Sequence, residues 1–449
     1  MSCLNGIVWG PVMLAFLVGT GVYLTFRLGF LQFRYLPCAL KLVFSSPDDS
    51  QAKGDITPFQ ALTTALSATI GTGNIAGVAT AIFLGGPGAV FWMWVCAVFG
   101  MATKYAEAVL AVKYRHVLPD GTMQGGPMRF IADGLRLKWL GWLFALMGSI
   151  AALGIGSMVQ SNSVAVALRE SWGIMPSVTG IVLGVLTGVV IIGGIRRIGR
   201  VTEKLVPFMG IFYVTGAVAI LILNASRIPE ALTLILHHAF TPASATGGFA
   251  GAAVSAAVRF GVARGVFSNE AGLGSAAIAH AAARTNSPVR QGQIGMTGVF
   301  FDTIIVCTMT ALVILTTGVW SSGETSSALT YLAFQQGLPG PGGLVVTCGI
   351  TVFAYSTMIG WAYYGEECIE YILGIKARIP YRYLFCFVIA IGAFQKVDFV
   401  WNFSDTMNGA MAIPNLIGLL GLSGVVAKET GKSLKGGKFL FSDRSLGNG

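Results

Sequence analysis

Apolar residues run in blocks of bilayer length along the whole chain, near 5–27, 56–82, 88–112, 137–168, 177–195, 203–224, 250–284, 293–318, 342–371, 382–397 and 400–425. Short polar segments divide the blocks. A helix needs about 20 consecutive apolar residues to cross the hydrocarbon core, so this pattern predicts an all-α polytopic membrane protein with about eleven transmembrane helices. Two blocks are interrupted alike, each holding glycines and hydrogen-bonding side chains near its middle: Thr69-Ile70-Gly71-Thr72-Gly73-Asn74 and Phe267-Ser268-Asn269-Glu270-Ala271-Gly272-Leu273-Gly274-Ser275. Both are expected to be broken helices. Five blocks separate their starting points. With the first block set aside as peripheral, the remaining ten therefore divide into two fives of opposite orientation, each opened by a broken helix, which is inverted-repeat transporter architecture.

The expected division is a peripheral first helix and cytoplasmic linker over 1–55, a first five-helix repeat over 56–224, an extracellular connection and second repeat over 225–425, and a basic cytoplasmic tail over 426–449. The loops on one side carry nearly all the Lys and Arg, from Arg27 and Arg34 through Arg196, Arg197 and Arg200 to Arg378, Arg382 and the tail. The other side carries Arg169, Arg227 and Lys396. By the positive-inside rule the tail is cytoplasmic. No basic residue precedes the first block and several follow it, the reverse of a signal peptide's charge order, so the block is expected to remain as a span with its N-terminus outside.

Composition agrees with lipid as the solvent: 54% of residues are hydrophobic and 11% charged, against about 25% charged in soluble domains. The net charge of +10 lies in short blocks between apolar runs, as topology signals and not as a nucleic-acid face. Seven Cys without CxxC spacing and four His without an HExxH pattern indicate neither zinc nor a disulfide framework, and no nucleophile with a base faces another helix. An enzyme is not expected. A channel would need continuous pore-lining polarity in place of two matched breaks.

At bilayer depth a chain leaves the helix only where the freed backbone groups meet a partner, a cavity or a ligand. Asn74 is the expected N-cap of the half-helix after the first break, whose positive end suits a carboxylate, while the carbonyls freed before it suit a bare cation. Close packing is the competing reading for Gly71, Gly73 and Gly77, and the favoured one for Gly180, Gly184 and Gly188. Glu270 requires a compensating partner, with Arg264 and Arg259 nearest in sequence; Asp302 is either a buried structural pair or a proton or cation site. Lys104 and Glu107, three apart on one helix, are expected to pair locally. Gly148, Ala152, Gly156 and Gln160 fall along one helix face, with Gln160 either contacting substrate or joining helices. Ser356 and Thr357 are adjacent mid-span hydroxyls, with Trp361 one turn beyond, and back-bonding to carbonyls is their bland reading.

The run from Gly85 to Gly100, with Phe91-Trp92-Met93-Trp94 at its centre, resembles the signature of the alanine/glycine:cation symporter family, the sodium:alanine symporters of the amino acid-polyamine-organocation superfamily. The segments around Ile70–Gly77, Gln124-Gly125-Gly126-Pro127, Phe267–Ser275 and Ser356–Trp361 resemble that family as well. The resemblance implies the leucine-transporter type of 5+5 fold and the import of alanine or glycine with Na+ across a prokaryotic cytoplasmic membrane, by a protein working as a monomer without a cofactor. It also implies a Na+ site formed by the carbonyls of Ser67 and Ile70 opposite Ser356 and Thr357, and a substrate pocket lined by Thr72, Gly73, Asn74, Gln160, Phe267, Ser268, Asn269 and Trp361. Proton coupling through Glu270 or Asp302 is the alternative to Na+.

Overall fold

The computed structural model describes residues 8–45, 52–244 and 249–435. Two helices at 84° to each other open it, α1 (Pro11–Arg27) and α2 (Leu31–Ser45), so the expected linker after the first span is itself helical over much of its length. The first broken element follows, α3 (Pro58–Thr69) and α4 (Gly73–Gly85), bent by 52°. Its start is written in sequence. Pro58 occupies the first turn, Gln60 N donates to Thr57 Oγ1, and Thr57 N donates to Gln60 Oε1, a reciprocal cap.

Then come α5 (Ala89–Lys113), a two-stranded hairpin pairing β1 (His116–Val117) with β2 (Met123–Gln124), α6 (Lys138–Trp172), α7 (Pro176–Ile191) and α8 (Gly194–Leu223). A short α9 (Ile228–His238) leads to the second broken element, α10 (Val254–Asn269) and α11 (Ser275–Ala281). The remaining helices are α12 (Pro288–Thr317), α13 (Ser326–Gly337), α14 (Gly342–Leu373), α15 (Arg378–Gly392) and α16 (Val397–Lys435). The order of one broken element followed by four further helices therefore occurs twice, with α9 and α13 as additions.

Six of these helices are long and apolar enough to cross a membrane, or up to eight if each bent pair counts as one span, and α7 is a shorter apolar helix. The second broken element is outside that count: α10 is 16 residues long, and residues 270–274 separate it from α11. Two expected boundaries move. The Arg196–Arg200 block lies within α8 and not in a loop, since Gly194 opens the helix immediately after the turn at Ile192 and Gly193. The last helix runs to Lys435, so the first part of the expected tail is helical, while the tail's residues 436–449 lie outside the described residues.

Small residues set the closest helix approaches. Gly180 and Gly184 lie on α7 against the backbone carbonyls of Ala390 and Cys386 in α15, a close-packing role. Along α6, Gly148 faces Cys368, Ala152 faces Gly365 and Gly156 faces Trp361, successive turns of the antiparallel α14. That register carries Gln160 to the level of Thr357.

Candidate functional site

The first break begins where Ile70 turns extended (φ −74°, ψ 92°), and the chain re-enters the helix through a π-turn at Gly73–Gly77. Asn74 lies inside that turn and is not its N-cap, as the sequence suggests; Thr72 holds the cap position, without a side-chain cap bond. Asn74 secures the break in another way. Its Oδ1 accepts the Gly71 N–H at 2.9 Å, and its Nδ2 donates to Asp302 Oδ1 at 2.7 Å.

Ser67, Ser356 and Thr357, three of the four expected cation ligands, lie together. Ser356 Oγ donates to the Ser67 carbonyl at 3.3 Å across the α14–α3 interface, and both Ser356 and Thr357 back-bond to the Phe353 carbonyl. The opposite wall is Gly71: a Cβ placed there would lie 2.5 Å from Thr357 Oγ1 and 3.6 Å from Gln160 Oε1. Gln160 Nε2 donates to the Ile155 carbonyl within the π-turn Ala152–Met158, which leaves Oε1 turned toward the break. Thr72 Oγ1 and Gln160 Oε1 are buried without a hydrogen-bond partner among the described residues. Beside an open backbone turn, these two buried oxygens are available to a ligand. Hydroxyls and backbone carbonyls are hard oxygen donors, and together they fit a small hard cation carried as cargo.

The second break adjoins the first. Gly73 lies against Phe267 and Ser268, where a Cβ would meet both at 3.3 Å. Glu270 closes α10 in the left-handed conformation (φ 56°), and Gly272 and Gly274 also take positive φ, 91° and 82°, where a side chain would be strained. The freed amides have a dedicated acceptor. Glu107 Oε1 accepts Gly272 N at 3.0 Å, Gly274 N at 3.1 Å and Asn415 Nδ2 at 2.8 Å. Lys104 and Glu107 make no direct ion pair or hydrogen bond with each other; Lys104 is buried and its Nζ has no hydrogen-bond partner among the described residues, though its charge acts on Glu107 from nearby.

Asp302 joins the two breaks. Besides Asn74, it accepts Ser268 Oγ at 2.9 and 3.1 Å and Thr303 Oγ1 at 2.8 Å, and Thr303 in turn accepts Asn269 Nδ2 at 3.1 Å. Asn74, Ser268 and Asn269, all expected to line a substrate pocket, thus spend side-chain capacity on holding the breaks together. Asp302 occupies the π-turn Phe300–Cys307 of α12, the kind of helix defect that recurs at functional sites. Sequence spacing gave no sign of this hub, because its members come from three elements more than 30 residues apart.

Nor does Glu270 pair with an arginine. Its Oε1 accepts the Trp361 indole N–H at 2.8 Å and its Oε2 accepts Ser275 Oγ at 2.6 Å. Arg264 pairs instead with Asp405 of α16 at 3.0 Å and lies over the rings of Phe267 and Trp401. Trp361 is fully buried, so its place beside the breaks depends on Gly156, where any Cβ would overlap the Trp361 side chain.

Ion pairs close the region at both ends. The Arg264–Asp405 pair lies one helical turn beyond Phe267. At the end rich in basic loops, Arg378 binds Asp120 of the β-hairpin at 2.6 Å and also Glu370, while Arg382 binds Glu366 at 2.6 Å. Arg115 there donates to the carbonyls of Lys53, Ala281, Ala283 and Thr285, where Ile56 and Ala283 bridge the two broken elements.

The sequence profile of the sodium:alanine symporter family matches residues 1–436. The chain is 54% identical over 438 residues, 96% of each chain, to the sodium/alanine symporter AgcS of Methanococcus maripaludis. It is 50% identical over 433 residues, 96% of this chain and 94% of the other, to a Haemophilus influenzae protein described as an uncharacterized transporter. Among solved structures, MhsT in complex with L-phenylalanine aligns with a TM-score of 0.59 at 12% identity, covering 85% of this chain and 99% of that one, a likeness in fold alone and of the leucine-transporter type. The chain belongs to the sodium:alanine symporter family, and is thereby a multi-pass membrane protein that carries an amino acid together with Na+.

Proposed function

We propose that the protein imports alanine, glycine or both with Na+ by alternating access. The observation that carries this reading is the meeting of the two breaks at Gly73 and Phe267, with the unpartnered Thr72 Oγ1 and Gln160 Oε1 beside them and the hydroxyls of Ser356 and Thr357 opposite the Ser67 carbonyl. In this reading Na+ is held by the carbonyls of Ser67 and Ile70 and by Ser356 and Thr357. The substrate carboxylate meets the positive end of the half-helix that begins at Gly73, with Thr72 and Gln160 at its side, and the ammonium meets carbonyls freed at the end of α10. Gly73, Asn74, Ser268 and Asn269 shape the cavity, and Phe267 and Trp361 limit the side chain it accepts.

The two five-helix repeats, 56–224 and the one that follows the extracellular connection within 225–425, rock against each other in a monomer of a prokaryotic cytoplasmic membrane. The basic loops lie inside and the N-terminus outside. For one net charge moved, about 100 mV supplies roughly 2.3 kcal/mol, on the order of a fifty-fold concentration ratio before any Na+ gradient is counted.

A second reading has one specific observation in its favour. The Asp302 carboxylate at the junction of the breaks is hydrogen-bonded by neutral donors only, so a proton could serve there as the coupling ion. Uptake of labelled alanine and glycine into proteoliposomes separates the two. Accumulation driven by an inward Na+ gradient, and not by a proton gradient, supports the Na+ reading; accumulation driven by protons alone transfers coupling to Asp302 or Glu270.

A further inference from the structure

The unpacked face of α8 combines two features that the transport site does not use. Arg197, Arg200 and Lys204 lie one turn apart on that face and form, with Val201, Leu205 and Phe208, a shallow open surface. From Phe208 the same stripe continues through Ile211, Phe212, Thr215 and Gly216 to Ala219, lining an apolar groove of about 470 Å³ against Val345 of α14. The basic surface and the apolar groove share Phe208, which is 64% exposed. At 1.5 Å per residue each part spans ~16 Å, one for a headgroup zone and one for a length of acyl chain.

None of the three cations has a carboxylate partner among the described residues. The sole acidic residue of α8, Glu203, is engaged by α3, accepting from Gln60 Nε2 at 2.8 Å. Beside it Thr202 bonds Thr64 at 3.1 Å, so the opposite face of α8 is committed to α3, the helix that carries Ser67. A single row of unpaired cations that opens onto a lipid-facing apolar groove fits a ligand with an anionic head and a hydrocarbon tail. A soluble anion would leave the groove uncovered, and a neutral lipid would leave the cations unpaired.

We propose that this face of α8 is a binding site for one anionic phospholipid, its phosphate held by Arg197, Arg200 and Lys204 and an acyl chain laid along Phe208, Phe212 and Gly216. Clusters of Lys and Arg at a membrane boundary attract acidic headgroups in general; the continuous groove is what makes this position specific. The site is independent of which amino acid or coupling ion is carried.

The test is native mass spectrometry of the detergent-purified full chain, titrated with dioleoyl phosphatidylglycerol or, in parallel, with dioleoyl phosphatidylcholine. The unmodified protein is expected to retain one phosphatidylglycerol at least tenfold more tightly than phosphatidylcholine. Arg197→Gln with Arg200→Gln and Lys204→Gln should abolish that preference. Arg197→Lys with Arg200→Lys should keep most of it, as should Lys432→Gln with Lys435→Gln, which removes two cations elsewhere. Equal retention of the two lipids by the unmodified protein overturns the proposal without recourse to any variant, and so does a triple variant that is folded and keeps the full preference.

Discussion

Trp361 donates its indole N–H to Glu270 Oε1 at 2.8 Å, which ties the middle of α14 to the left-handed turn that ends α10. The other carboxylate oxygen is held by Ser275 at the start of α11, so Glu270 fixes the ring by way of both halves of the second break. If Trp361 limits substrate size, Glu270 sets where that wall stands. Glu270→Ala leaves a buried N–H unpaired, at a cost of about 1–3 kcal/mol, and should relax selectivity so that amino acids larger than alanine compete for uptake. Glu270→Gln keeps an acceptor and should hold selectivity near that of the parent. Competition assays on both folded variants decide it, and equal selectivity in Glu270→Ala and the parent would sink the link.

Replacing Trp361 itself by Phe removes the hydrogen bond and part of the ring. Labelled alanine uptake should then be inhibited by valine or leucine at concentrations that leave the parent unaffected. Unchanged inhibition in a folded Trp361→Phe protein would mean that this ring does not border the substrate.

Thr357→Ala removes one oxygen from the proposed Na+ site without opening a cavity of consequence. A lost contact to a charged group is worth about 1.5–3 kcal/mol, so the Na+ concentration for half-maximal uptake should rise on the order of tenfold or more. The dependence of uptake on Na+ at saturating alanine measures this directly.

Glu107 bears on stability more than on transport selectivity. Glu107→Ala strands the buried amides of Gly272 and Gly274, at about 1–3 kcal/mol each before relaxation, and leaves Asn415 Nδ2 with only the Gly272 carbonyl. Thermal unfolding in detergent should show a marked loss for Glu107→Ala and a smaller one for Glu107→Gln, which retains an acceptor oxygen. Comparable losses in the two would show that the charge, and not the acceptor, holds the break.

Burial pushes the Asp120 carboxyl up, but hydrogen bonds from Thr122 and the Arg378 guanidinium outweigh it and hold the group below the usual carboxylate range. The folded state therefore binds that proton less tightly than the unfolded chain does. The stability contributed is complete above the ordinary carboxylate value of about 3.9 and is lost as pH falls through the folded value. Asp120→Asn should reduce this acid-side loss and lower stability at neutral pH, read as melting temperature against pH in detergent. A parallel pH curve for the two proteins would remove the latch from any role in acid sensitivity.

Hydrophobic block length, the two interrupted spans and the family signature are properties of contiguous sequence, and together they determined the membrane class, the paired breaks and the family. Local rules also set ends such as the Thr57-Pro58 start of α3, because a cap and its partners lie within three residues of each other. They located the meeting of Ser356 with Ser67 only through the resemblance, since these residues are 289 positions apart. The tertiary structure alone decided which partner each buried polar group takes. Proximity in sequence offered Arg264 to Glu270 and Lys104 to Glu107; packing gave Glu270 to Trp361, Arg264 to Asp405 and Glu107 to the glycine amides. A periodic pattern records that a side chain is buried. Which group compensates it depends on the rotation and register of helices distant in the chain, and that is fixed by the packing of small residues such as Gly156 against Trp361.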